Sequence, residues 1–230
     1  MFFSEFKLYH SDASPSPCVT IHAMDVLNLS NNVEVIRVLR ERLQPVSLAE
    51  SLVDTIEGQQ ENARKAAVLL AFFLQDDELH LMLIRRASTL RSHSGEIAFP
   101  GGKVDATDHS MVTTALREAY EEIGLHPELV EPLGVLNPVF TVVSNYLILP
   151  VVAYLPHGSG NLVLQESEVA ELLTVNLTRL ADPAIAHTEQ WTRGNQTRTI
   201  HFYDYDQYRI WGATGRIISS LLELLKPASP

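Results

Sequence analysis

The chain has 230 residues, of which 46% are hydrophobic and 20% charged, enough to bury one good-sized core. A formal net charge of −11 argues against binding to a nucleic-acid backbone, which calls for a basic surface. The single cysteine, Cys18, excludes an internal disulfide framework and a multi-cysteine zinc site, and favours a reducing compartment. The N-terminus lacks the pattern of a secretion signal, and no run approaches the roughly 20 apolar residues of a membrane span. We therefore expect a soluble, cytoplasmic protein without membrane contacts.

Two helices are predicted near the start of the chain. Asn31 or Asn32 caps a helix that continues to about Leu43, because apolar residues recur there at helical spacing and Pro45 stops it. A second helical pattern follows over residues 47–56. We therefore expect helices before the first strand.

A β-hairpin is predicted next. The apolar runs AAVLLAFFL (66–74) and LHLMLIR (79–85) are strand-like, and the polar residues 75–78 separate them. A glycine turn and a short acidic helix that ends near Leu125 follow the hairpin.

Later strands are predicted at 133–140 and 147–154, with Pro138 and Pro150 marking strand ends or sheet edges. A final strand pair is expected at 198–205 and 210–211, before a helix over 213–225. Because strands precede, interrupt and follow helices without strict alternation, the fold class is α/β (α+β), with a mixed β-sheet sandwiched between α-helices.

The acidic helix carries three glutamates close together. Glu118, Glu121 and Glu122 are spaced by three and four residues, so they project from nearly the same side of the helix. Repulsion between such helix-surface carboxylates is only about 0.2–0.5 kcal/mol per pair, so a solvated acidic face is one interpretation. A bound cation is the other.

The segment before the helix favours the cation. Residues 99–102 read Phe-Pro-Gly-Gly, a tight turn in which Gly101 and Gly102 let the backbone approach a ligand closely. Carboxylate and carbonyl oxygens suit Mg²⁺ or Mn²⁺, which usually share their ligand shell with substrate phosphates. The pattern therefore predicts a metal-bound phosphate compound as the ligand.

This segment resembles the box of the Nudix hydrolases, which cleave nucleoside diphosphates linked to another group. Gly102 and the run 117–125 (REAYEEIGL) match that box without error. The middle departs from it: Asp108 stands where the family has a glutamate, and eight residues rather than seven separate it from Arg117. A shorter acid and one inserted residue indicate a subfamily trait.

The preceding stretch is similar to the signature of the coenzyme A pyrophosphatases. That signature has an arginine before a small residue, a second arginine, a glycine and then Phe-Pro-Gly-Gly. The matching residues here are Arg86, Ala87, Arg91, Gly95 and 99–102. Ile84 departs, since threonine is usual there, whereas the acidic stretch 105–108 also resembles this subfamily.

The resemblance implies a Nudix-like fold and hydrolysis of coenzyme A or acyl-coenzyme A to 3′,5′-ADP and (acyl-)4′-phosphopantetheine. It covers the chain from about residue 33, so we expect one Nudix hydrolase domain over 31–230 after an extension of unknown role at 1–30. Two alternatives stay open. One is a Nudix pyrophosphatase for ADP-ribose, dinucleotides or nucleoside triphosphates, because the box specifies the reaction and not the leaving group. The other is a binding protein that senses a nucleotide without cleaving it.

The resemblance also implies roles for individual residues. Glu118 and Glu122 would bind Mg²⁺ or Mn²⁺, with Glu121 as third ligand or as their partner, and Arg117 would orient these glutamates through charge-assisted pairs. The alternative for Arg117 is an ordinary surface ion pair. The proposed catalytic residues are thus Glu118, Arg117 and Glu121.

Substrate phosphates would meet Arg86 and Arg91, although exposed arginines on a strand-to-loop segment are an equal alternative for each. Gly101 and Gly102 complete the predicted substrate-binding set, Gly102 through its carbonyl or simply as the turn. The expected partner is a small-molecule substrate rather than nucleic acid or membrane, and a homodimer stays open.

Two further groups of residues lie outside these motifs. A general base outside the box is common in the Nudix family, and the acidic segment with Glu166, Glu168 and Glu171 offers candidates among which the sequence does not choose. Trp211 and the tyrosines near it are expected to pack inward, as strand aromatics usually do, rather than to stack on a base.

Overall fold

A computed structural model describes residues 29–57, 62–88, 95–193 and 196–227. Its helices are α1 (Asn32–Arg42), α2 (Ala49–Glu57), α3 (Met111–Ile123), α4 (Leu177–Leu180) and α5 (Gly212–Leu224). Its strands are β1 (Arg64–Gln75), β2 (Glu78–Arg86), β3 (Ile97–Ala98), β4 (Gly101–Lys103), β5 (Glu131–Val135), β6 (Val139–Thr141), β7 (Tyr146–Tyr154), β8 (Val169–Asn176), β9 (Ala186–Arg193), β10 (Gln196–Tyr205) and β11 (Tyr208–Ile210).

The first two helices confirm the sequence prediction. The Asn31 side chain caps α1 by accepting a hydrogen bond from the Glu34 N–H at 3.2 Å. A 3₁₀ turn at Val46–Leu48 precedes α2. Leu29, within the predicted extension, is already buried against the core.

The main sheet has eight strands and is mixed. Its path runs β3-β2-β1-β7-β5, while β4 pairs with β1, β6 with β7 and β8 with β2. The β1–β7 pair is parallel and the remaining pairs are antiparallel. The predicted hairpin is β1–β2, and Asp76 and Asp77 make its turn with φ of 50° and 60°, as a type I′ turn requires.

Helices cover both faces of this sheet, as predicted. One hydrophobic cluster joins α2 and α3 to sheet residues such as Leu69 and Val151. The other joins α1 and α5 to the opposite face, through residues such as Phe72 and Val152. Among the described residues, no helix has the length and apolarity needed to cross a membrane.

A second sheet of three antiparallel strands, β9-β10-β11, packs beside the first. Helix α5 lies so close to β10 that a Cβ on Gly215 would overlap the His201 carbonyl oxygen. The Tyr205 hydroxyl accepts a hydrogen bond from the Asn176 N–H at 3.0 Å and so joins the two sheets.

Four features of the predicted strands needed correction. Strands β8 and β9 were not predicted, and β9 (AHTEQWTR) is too polar to show the usual apolar alternation. The predicted strand at 133–140 is two strands, β5 and β6, separated at residues 136–138. Pro150 lies inside β7 rather than at an end, opposite the break between β5 and β6, where it has no partner in either ladder on that side.

Candidate active site

Helix α3 is held firmly at both ends. The Ser110 hydroxyl accepts a hydrogen bond from the Thr113 N–H at 3.0 Å, and a Glu50 carboxylate oxygen accepts one from the Met111 N–H at 2.9 Å. Gly124 ends the helix in the left-handed conformation, with φ of 70°. The polar residues of the last turns therefore project from a fixed helix.

The three glutamates of α3 lie in different surroundings. The Glu122 side chain is 2% exposed, that of Glu118 is 17% exposed and that of Glu121 is 56% exposed. The sequence predicted a cluster in nearly one volume. The structure shows instead a gradient from a buried carboxylate to a solvated one.

Arg117 connects two of these glutamates to a loop before the helix. Its Nη1 donates to Glu118 Oε1 at 3.0 Å and to Glu121 Oε2 at 2.9 Å. Its Nε and Nη2 each donate to one oxygen of Asp108 at 2.9 Å, and Nη2 also reaches the Lys103 carbonyl at 3.1 Å. This geometry fits the orienting role expected for Arg117, because a planar guanidinium can serve several acceptors at once.

Asp108 is the buried anchor of that network. Its side chain is 2% exposed and also accepts hydrogen bonds from the Thr114 hydroxyl and the Asp105 N–H, both at 2.9 Å. Hydrogen bonds from Arg117 hold the pKa of Asp108 well below its usual range, and Asp108 in turn raises the pKa of Arg117. The sequence marked Asp108 only as a departure from the box and gave no sign of this pairing.

Glu122 sits between a backbone N–H and an arginine. Gly101 N–H donates to Glu122 Oε2 at 2.9 Å, and Arg86 Nη1 lies 3.3 Å from Oε1. Burial nevertheless raises the pKa of Glu122 to about 7, because the Gly101 N–H and the charge of Arg86, which lower this pKa, do not cancel the desolvation. Repulsion from the Glu118 carboxylate raises the pKa further. Burial raises the pKa of Glu118 as well, against the opposing charge of Arg117.

The two glycines before α3 are part of strand β4 rather than a turn. Gly102 and Gly101 pair with Ala67 and Val68 of β1. A Cβ on Gly101 would overlap the backbone of β1, and one on Gly102 would overlap the Glu118 carboxyl group. The close approach predicted for a ligand is therefore made by the protein's own strand and carboxylate.

The structure also brings a distant carboxylate to the acidic helix. Glu168 lies near enough to raise the pKa of both Glu118 and Glu122 by repulsion. Main-chain bonds hold its segment in place: the Glu168 carbonyl accepts from the Ala87 N–H at 2.8 Å, and the Gln165 N–H donates to the Glu122 carbonyl at 2.9 Å. Of the three acids in that segment, Glu168 is thus the one with an electrostatic link to the helix in the described structure.

Arg85 and Glu171, which lie near these residues, are paired with each other. Arg85, which precedes Arg86 on β2, donates from Nε to Glu171 Oε2 at 2.9 Å, and the Tyr208 hydroxyl donates to Glu171 Oε1 at 2.6 Å. These hydrogen bonds lower the pKa of Glu171. Arg91, the second predicted phosphate-binding arginine, lies outside the described residues.

The donor set suits a hard divalent cation. Among the residues with described positions, no three acidic, imidazole or thiol groups converge as a closed metal cage. Mg²⁺ needs no such cage, since one or two carboxylates with water and substrate phosphates are its usual ligands. The space that Gly102 leaves for the Glu118 carboxyl group, with the buried Glu122 one turn further along the helix, offers that arrangement.

The chain is similar to known proteins of one family. Residues 63–194 match a family model described as the NUDIX domain. The chain is 40% identical over 163 residues to an "uncharacterized Nudix hydrolase NudL" of Photorhabdus laumondii subsp. laumondii, covering 71% of this chain and 86% of that protein. A protein of the same description from Cronobacter sakazakii is 40% identical over 166 residues, covering 70% and 82%. A solved NUDIX hydrolase from Alicyclobacillus acidocaldarius gives a TM-score of 0.46 at 17% identity, covering 72% of this chain and 93% of that one.

Proposed function

This chain belongs to the Nudix hydrolase family, enzymes that act on phosphoanhydride bonds, and from that premise we propose that its substrate is coenzyme A or an acyl-coenzyme A. Water would split the diphosphate to give 3′,5′-ADP and 4′-phosphopantetheine, or its acylated form. The observation that carries this proposal is the position of Arg86. Arg86 matches the first arginine of the coenzyme A signature, and its Nη1 lies 3.3 Å from Glu122 Oε1 on the acidic helix.

Glu118 and Glu122 would hold Mg²⁺ or Mn²⁺, with Glu121 held beside them by Arg117. Such a cation, when bound, lowers the pKa of water and offsets negative charge on the phosphates. Arg117 fixes the Glu118 carboxylate through the bond to Nη1, and Asp108 fixes Arg117 in turn. The protein's part in the reaction is thus to keep these oxygens in place before substrate arrives.

The remaining groups would act on the substrate and on the attacking water. Arg86 would offer its guanidinium to a phosphate oxygen, since its bond to Glu122 is long and its side chain is 25% exposed. Glu168, exposed beside the two metal-binding glutamates, would accept the proton of the water as its oxygen attacks phosphorus and the bridging oxygen leaves. Gly101 supports this site through the hydrogen bond from its N–H to Glu122.

A substrate panel tests the proposal. The purified chain with Mg²⁺ or Mn²⁺ is given coenzyme A, acetyl-coenzyme A, ADP-ribose, a diadenosine polyphosphate and ATP, and products are separated by chromatography. We expect 3′,5′-ADP from both coenzyme A compounds at the highest kcat/KM. Faster cleavage of ADP-ribose, the dinucleotide or ATP would replace the substrate assignment, and tight binding without turnover would indicate a sensing protein.

Variants separate the chemistry from the choice of substrate. We expect Glu118→Gln to abolish turnover on every substrate, whereas Glu128→Gln, the same change at an exposed glutamate, leaves it intact. Arg91→Ala should reduce activity on coenzyme A more than on ADP-ribose. Equal losses on both would contradict a role for Arg91 in recognising coenzyme A.

A further inference from the structure

Four aromatic side chains form a cluster on the three-stranded sheet: His187, Trp191, Phe202 and Trp211. The His187 and Phe202 rings are stacked at 5.0 Å and 6°, and the Phe202 and Trp211 rings at 6.2 Å and 7°. Trp191 contacts Phe202 and Trp211 with centroid distances of 6.1 and 5.9 Å. Parallel rings therefore run across the sheet from β9 to the start of α5.

This aromatic cluster lies on the outer face of the sheet. On β10, Tyr203 and Tyr205 point inward and are buried, as the sequence predicted. Phe202 points to the other face and is 4% exposed, but its cover is the aromatic cluster itself, since Trp191 and Trp211 are only partly buried. The inward packing expected for Trp211 is therefore wrong, and two large flat rings keep part of their surface in solvent.

Two contacts join this part of the sheet to the strands that carry the candidate active site. Three residues before Trp211, the Tyr208 hydroxyl donates to Glu171, the partner of Arg85. Three residues after it, the buried Thr214 hydroxyl donates to the carbonyl of Ile97 at 3.0 Å. Ile97 pairs with Arg85 and precedes Gly101 by only four residues. Trp211 thus lies between two residues that are hydrogen-bonded to β8 and β3 of the main sheet.

The polar groups around the aromatic cluster suit a heterocycle. The Glu189 carboxylate accepts from Trp191 Nε1 at 2.7 Å and can accept a further hydrogen bond from an exocyclic amine. The Arg209 guanidinium lies 5.8 Å from the Phe202 ring centroid and is paired with Asp204. Glu189, Asp204 and Arg209 together carry one net negative charge, so an anion meets less repulsion here than a net charge of −11 suggests.

We propose that the aromatic cluster of His187, Trp191, Phe202 and Trp211 stacks the purine ring of the substrate's nucleotide half. A purine gains from a planar aromatic surface because each base has a π-face, whereas the pantetheine half is a flexible chain without a ring. The proposal deepens the proposed function and rests on it for the identity of the nucleotide. It assigns the cluster to binding and leaves bond cleavage to the acidic helix.

Intrinsic fluorescence tests this directly, because the only two tryptophans of the sequence are Trp191 and Trp211. The unaltered chain with Mg²⁺ is titrated with 3′,5′-ADP and, separately, with 4′-phosphopantetheine. We expect saturable quenching by 3′,5′-ADP alone, and Trp191→Phe and Trp211→Phe show which indole responds. Unchanged fluorescence at 3′,5′-ADP concentrations that inhibit turnover would overturn the proposal.

Kinetics provide a second measurement. Because base stacking on an aromatic side chain is worth about 1–3 kcal/mol, we expect Trp211→Leu to raise KM about 5- to 150-fold with kcat within about twofold. The matched control is Tyr154→Leu, a partly buried aromatic of β7 outside the aromatic cluster, with KM unchanged.

The outcomes distinguish the two proposals. Coenzyme A hydrolysis with an unchanged KM in Trp211→Leu overturns the purine site alone. Quenching by 3′,5′-ADP without coenzyme A hydrolysis supports the purine site and overturns the proposed substrate. Tryptophan fluorescence that changes with protein concentration, without nucleotide, would show that a second copy covers the cluster and would overturn the purine assignment.

Discussion

Arg117 and Asp108 face each other as a two-point ion pair, with two nitrogen–oxygen distances of 2.9 Å. The pair fixes the guanidinium plane, and the same guanidinium then holds Glu118 and Glu121. Asp108 therefore positions Glu118 and Glu121 through Arg117, and it also accepts a hydrogen bond from Thr114 of the same helix.

Removing the charge of Asp108 tests this anchoring. We expect Asp108→Asn to lower the free energy of unfolding by about 1.5–3 kcal/mol, because a hydrogen bond to a charged group is lost in a buried place. Chemical denaturation at pH 7 measures the change. Asp105→Asn, at an exposed acid three residues away, is the control and should stay within about 0.5 kcal/mol.

The same pair predicts how stability depends on pH. Arg117 lowers the pKa of Asp108 in the folded chain, so the folded state binds fewer protons than the unfolded one. The stability from this pair is complete above the unfolded pKa of about 3.9 and is lost as pH falls through the lower folded value. We expect the difference in stability between the unaltered chain and Asp108→Asn to shrink below about pH 4. A difference that grows on acidification would contradict the assignment.

Replacement by alanine is expected to have different effects at the adjacent glycines Gly101 and Gly102. Gly102→Ala places a methyl group against the Glu118 carboxyl group, the flexible end of a side chain, so we expect near-normal stability but roughly a 100-fold loss of kcat. Gly101→Ala meets the backbone of β1 and has a φ of +152°, so we expect it to unfold at markedly lower temperature. Thermal melts and turnover of both variants, side by side, make the comparison. Similar stability for the two would disprove it.

A pair of glutamates in one segment tests the proposed proton acceptor. We expect Glu168→Gln to reduce kcat about 100-fold or more, since the loss of a general base typically costs that much. Glu166→Gln changes a nearby exposed acid without the electrostatic link to the helix and should leave kcat unchanged. Equal activity in both variants would exclude Glu168 from the reaction.

Local patterns made much of the fold predictable. Apolar periodicity and helix caps depend only on residues that are close in sequence. For that reason α1, α2 and the β1–β2 hairpin could be predicted from the sequence. The acidic helix α3 was predicted from the family resemblance. Strand β9 was missed because its side chains lack the apolar alternation, and Pro150 was misjudged because its tolerance depends on the break between β5 and β6.

Contacts between residues that are far apart in sequence could not be predicted from local sequence patterns. Arg85 and Glu171 are 86 positions apart, and only the pairing of β2 with β8 brings them together. The same pairing brings Glu168 to the acidic helix, which selects it from three acids that look alike in sequence. Asp108 was visible as an odd residue in a known box, but its burial and its bonds to Arg117 depend on how the loop folds back.

The segment that carries Glu168 is bonded through its main chain to the end of α3 and to the residue after β2. The two sets of acids therefore cannot drift apart without breaking backbone hydrogen bonds, and they form one rigid half of the site. In the proposed mechanism, the metal ligands and the proton acceptor therefore keep a fixed separation, whichever nucleotide derivative is bound.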